Sequence, residues 1–98
     1  KKTDEEVNKD LEQDINVSKE KNHDLKQQKV EVSHKEYACF TKLIYVDEIF
    51  YLYLAYLNPG NNFSNAFSVT MNIPNRQATK EELAAYKEIV STLVVFKR

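Results

Sequence analysis

The chain has 98 residues, 42% hydrophobic and 30% charged, with one Gly and two Pro. That profile excludes a fibrous or disordered chain and sets a single domain able to bury somewhat over ~60% of its extended surface. Fourteen Lys and Arg against fifteen Asp and Glu leave a formal net charge of -1, so the overall field gathers no polyanion and nucleic acid is not an expected partner.

Residue 1 is Lys rather than Met, which leads us to expect that a tag, signal or neighbouring domain preceded it. Thr3-Asp4-Glu5-Glu6 has the capping-box spacing, in which a hydroxyl and a Glu three residues later satisfy each other's backbone N–H, so a helix starts here. Val7, Leu11 and Ile15 recur every fourth residue, a narrow apolar stripe among Lys9, Asp10, Glu12, Gln13 and Asp14. So thin a stripe predicts a helix either loosely docked or completed by a partner. Residues 18–28 contain one apolar residue and form a charged connector that either continues the helix or runs as a loop, which divides the chain into an N-terminal helix and connector (1–28) and an α+β part (29–98) within a single folding unit.

From Lys29 the period changes. Val30 and Val32 alternate with polar neighbours, and Tyr37 to Val46 is rich in aromatic and β-branched residues, as strands are. Asp47-Glu48 offers a tight reversal. The following run, Ile49 to Leu57, is apolar at every position, so both faces of its strand need cover. It is also the longest apolar run and too short to cross a bilayer as a helix, so no transmembrane segment is expected. Asn58-Pro59-Gly60-Asn61-Asn62 is the strongest turn signal in the chain. Beyond it, Phe67, Val69, Met71 and Ile73 alternate with Ser68, Thr70 and Asn72, which predicts a strand over residues 66–73 with one buried and one wet face, ended by Pro74. Thr79-Lys80-Glu81-Glu82 repeats the capping box, Leu83, Tyr86, Ile89, Val90 and Leu93 keep helical spacing, and residues 93–96 are expected to form a short closing strand. The fold class is therefore α+β: an antiparallel sheet of four to five strands, an N-terminal helix, and a C-terminal helix followed by a short strand.

With two helices and a central strand that is apolar on both sides, either the helices take opposite faces or one face meets another chain. An uncovered aromatic sheet is a patch monomers avoid, so the thin first stripe points to a shared or partner-covered face, with intramolecular core as the alternative and the expected cover of at least one face. The residues expected at such an interface are Tyr51, Tyr53, Val7, Leu11 and Ile15.

His34, Cys39 and Asp47 supply the residue types of a thiol nucleophile, its base and an orienting acid. On one strand His34 and Cys39 point to opposite faces and lie well over ~15 Å apart, and no Gly-rich turn builds an oxyanion hole, so no catalysis is expected. His23, Asp24 and His34 lack metal-site spacing, and one Gly leaves no room for a phosphate-binding loop; no cofactor or metal is expected. The six tyrosines fit core packing better than base stacking, because only Lys42 is cationic between Tyr37 and Tyr56. A lone Cys39 among Tyr37, Ala38 and Phe40 behaves as a small hydrophobe.

The succession FSVTMNIPN to TKEELAAYKEIVSTLVVF resembles the C-terminal end of PsbP/Mog1-type α/β/α sandwich domains, and the likeness extends back to about Val30. The resemblance implies a binding module without catalysis and carries no functional residue with it. The expected function is thus a non-catalytic protein- or ligand-binding module of a bacterial, extracytoplasmic, lipoprotein-like protein, with a protein partner or self-association. The alternative is a small cytoplasmic homodimeric regulator or inhibitor.

Overall fold

A computed structural model describes residues 2–60 and 66–94. The elements run α1 (Asp4–Lys21), β1 (Lys26–Gln28), β2 (Ala38–Val46), β3 (Phe50–Asn58), β4 (Phe67–Pro74) and α2 (Lys80–Thr92), and the strands form one antiparallel sheet in the order β1-β2-β3-β4. The protein is α+β.

Both capping boxes form. Thr3 Oγ1 accepts from Glu6 N while Thr3 N donates to Glu6 Oε1 at 3.0 Å; Thr79 and Glu82 repeat the exchange. Three acids in the first turn of α1 add to the favourable field at its N-terminus. α1 continues through Ser18 to Lys21 and stops where Asn22 turns extended and its side chain accepts from Asp24 N at 3.1 Å.

The helix thus continues into the expected connector as far as Lys21, while Lys26 to Gln28, expected as helix or loop, form an edge strand pairing with Tyr45 to Leu43. Residues 29–37 carry no strand, in contrast to the alternation of Val30 and Val32. Both side chains instead pack against the core beneath α2, and Thr41 Oγ1 donates to Val30 O at 2.6 Å, diverting that carbonyl from a ladder. After α2, Leu93 and Val94 lie outside regular structure, and the rest of the expected closing strand falls outside the described residues.

β2 and β3 pair over their full length, Ala38 opposite Asn58 to Val46 opposite Phe50. The turn between them puts Glu48 at φ 67, a left-handed conformation that costs a side-chain-bearing residue about 1 kcal/mol, and is closed by Ile49 N donating to Val46 O. Tyr51 Oη accepts from Glu48 N at 3.1 Å and braces it.

The helices take opposite faces, giving three layers. Leu43, Tyr51, Tyr53, Ala55, Leu57 and Ile73 form one core with Tyr86 and Val90 of α2; Ile44, Val46 and Leu54 form the other with Leu11 and Ile15 of α1 and with Leu25. The run that is apolar on both sides is therefore covered on both sides by its own chain. Each fully buried aliphatic side chain contributes roughly 1.5–3 kcal/mol, so the narrow α1 stripe is enough to dock one helix.

Candidate functional site

Val7, Leu11 and Ile15 are 0–2% exposed and Tyr51 and Tyr53 are 6% and 3% exposed, so the five residues expected at an interface lie inside the chain rather than on a free surface. The two tyrosine hydroxyls instead pin loops: Tyr51 Oη accepts from Glu48 N at 3.1 Å and Tyr53 Oη from Ala78 N at 2.9 Å. Tyr86 Oη of α2 donates to Val69 O of β4 at 2.6 Å.

The residues considered for nucleophilic chemistry are not brought together. Asp47 sits past the far end of β2 from Cys39, about 26 Å away along the strand, and is held by Lys26 Nζ at 2.6 Å. That hydrogen bond holds the Asp47 carboxyl below its usual range. His34 Nδ1 accepts from Glu36 N and Tyr37 N, each at 3.0 Å, and its Nε2 lies 2.7 Å from Leu93 O. Those contacts assign the proton to Nε2 and commit both ring nitrogens to backbone, while the ring stacks on Tyr37 at 4.1 Å. Burial pushes the Cys39 thiol up to about 11, away from thiolate chemistry. Among the described residues no group of three His, Cys, Asp or Glu is placed to hold a metal ion.

A broad cleft lies on the α1 side, where the helix crosses the end of the sheet. It has a volume of about 690 Å³, with Lys2, Asp10, Gln13 and Asp14 on one wall and Tyr56, Phe67 and Ser68 on the sheet. Its framework is set by the buried Asn58: Nδ2 donates to Lys2 O at 2.9 Å and to Asp4 Oδ1 at 2.8 Å, and Oδ1 accepts from Gly60 N at 3.2 Å. These bonds tie the start of α1 to the end of β3. Across the cleft Tyr56 Oη donates to Asp14 and Lys2 pairs with Asp10. Burial, and then the hydrogen bond to Asp14, push the Tyr56 phenol well above its usual range, so it remains a neutral donor. The hydrogen bond from Lys2 to Asp10 likewise raises the lysine.

From the cleft outward, Ser68, Thr70 and Asn72 are exposed on the same side, since α1 packs on β2 and β3. The arrangement is a polar shelf beside a cleft of mixed charge. In the sequence, Lys2, Asp10, Gln13, Asp14, Tyr56 and Asn58 share no signal that marks them as a group. The available signal was Asp10 and Asp14 at i, i+4 spacing, which placed two acids on one side of α1 but could not say what they face.

No helix among the described residues is long and apolar enough to cross a membrane. The chain matches no family model, no curated protein and no solved structure.

Proposed function

We propose that the chain is a non-catalytic protein-binding module of an extracytoplasmic, lipoprotein-like bacterial protein, whose partner docks on the α1 side across the cleft and the shelf of β4. The observation that carries this reading is the uneven cover of the sheet: the α2 face is packed as far as Ile73 on β4, while on the other face Ser68, Thr70 and Asn72 stay open next to the cleft. A small-molecule site is concave and mostly apolar, whereas this cleft is broadly open with charged walls, which favours a protein surface. The resemblance to PsbP/Mog1-type domains supports a binding role outside the cytoplasm.

A photo-crosslinking residue at Gln13, introduced into the full chain in its native cells, tests the site, with Lys87 on the α2 side as control. The expected result is a recurrent adduct with a protein other than itself from Gln13, absent from Lys87 and abolished by Ser68→Arg in the cleft. No adduct at Gln13, or one unaffected by Ser68→Arg, overturns the site. A lipobox cysteine ahead of Lys1 in the reading frame supports the compartment, and an initiating Met at that point contradicts it.

A further inference from the structure

The two edges of the sheet differ. β1 is three exposed residues, Lys26-Gln27-Gln28, with Lys26 paired to Asp47. β4 is eight residues, FSVTMNIP, without a charge, and its register to β3 runs without a bulge from Phe67 opposite Leu57 to Pro74 opposite Phe50. Sheets ordinarily blunt an edge with charge, a bulge, proline or short length, and here only the terminal Pro74 serves. Among the described residues no strand pairs with the outer side of Ser68 to Ile73.

α2 adds an independent feature above that edge. Tyr86 Oη reaches Val69 O on β4 and, at 3.3 Å, Tyr53 O on β3, which places the helix over the gap between the two strands. One flank of α2, with Ala84, Lys87, Glu88 and Ser91, faces residues 31–33. At about 100° per residue the opposite flank, on the outer side of β4, carries Ala85 and Ile89 together with Glu82, whose carboxylate is held by Arg76. Ala85 and Ile89 are exposed, Ile89 to 56%.

We propose that a second copy of this chain occupies this edge, β4 pairing antiparallel with its counterpart about a two-fold axis at Thr70. This register sets Val69 opposite Met71 and Ser68 opposite Asn72, with Thr70 opposite itself, so apolar residues meet on the α2 side and polar ones on the α1 side. It also keeps Pro74, which cannot donate to a ladder, outside the paired segment. No like charges oppose each other. With strands about 4.8 Å apart, each α2 axis lies about one strand spacing from the two-fold. The two helices then run about 9–10 Å apart, the distance at which helices pack, with Ala85 and Ile89 between them. Strand and helix flank are self-complementary about one axis, which singles out a second copy over a foreign strand.

Sedimentation of the full chain over a concentration series tests this. The expected result is a dimer that dissociates on dilution and that Thr70→Lys and Ile89→Asp each weaken by about tenfold or more, with circular dichroism unchanged. Mixing Thr70→Lys with Thr70→Glu restores a mixed dimer, because the two side chains face each other at the axis. A monomer at every concentration, a dimer that survives either substitution, or a mixture that fails to recover overturns the proposal.

Discussion

The two faces of the sheet solve the same problem with different means. On the α2 side eight buried residues from three strands and a helix form one core, and tyrosine hydroxyls reach out of it to fix the α2 approach and a β4 carbonyl. On the α1 side a helix with three buried residues covers β2 and β3, and its position is set by polar bonds from Asn58 and Tyr56. The contrast teaches that the thin stripe needs an anchored start more than a wide apolar face, and that stopping short of β4 is what creates the shelf and cleft.

Charging each face in turn is expected to have the largest effect. Tyr53→Asp and Leu54→Asp sit side by side on β3 but face opposite helices, and both are expected to abolish the folded far-UV spectrum, since each puts an unpaired charge into an intramolecular core. Truncation grades the faces next. Leu43→Ala, at a site 1% exposed, is expected to cost about 3–5 kcal/mol in urea unfolding, against about 2–3 kcal/mol for Leu54→Ala, which already touches solvent at 7%.

Removing single hydroxyls sharpens the contrast further. Tyr86→Phe leaves the Val69 carbonyl without that donor and is expected to cost about 1–1.5 kcal/mol, whereas Tyr56→Phe releases Asp14 to water at about 0.5 kcal/mol.

Much of the fold was legible because its signals are local. The two capping boxes lie within four residues each, and the β4 alternation encodes a single wet face directly. β1 was not legible: Lys26-Gln27-Gln28 carries no apolar period, and it is a strand only because β2 offers it an edge. Conversely Val30 and Val32 have a strand-like period but pack beneath α2, since side-chain burial and not ladder pairing sets their alternation. The cleft was out of reach for a similar reason. Asn58 and Tyr56 lie over forty positions from Asp4 and Asp14, and only the docking angle of α1 brings them together.

The smallest expected effect is pH-dependent. Hydrogen bonds from Arg76, at 2.6 and 3.0 Å, and from Thr79 N hold Glu82 at about 2, below its ordinary 4.5. Folding thus favours the ionised carboxylate, so its contribution is complete above pH 4.5 and is lost as pH falls through about 2. Thermal unfolding of Glu82→Gln is expected to show a shallower loss over that range than the parent chain, while differing little at neutral pH because the pair is exposed.

The central claim, that one chain covers both faces of its own β3, is tested most directly by methyl and aromatic NMR contacts in a dilute sample mixing isotope-labelled and unlabelled chains. Contacts from Leu11 and Ile15 to Leu54, and from Tyr86 to Tyr53, are expected to appear within labelled chains and to vanish from the spectrum filtered for contacts between chains. Contacts from α1 to Leu54 that are missing, or that appear only between chains, would contradict the claim.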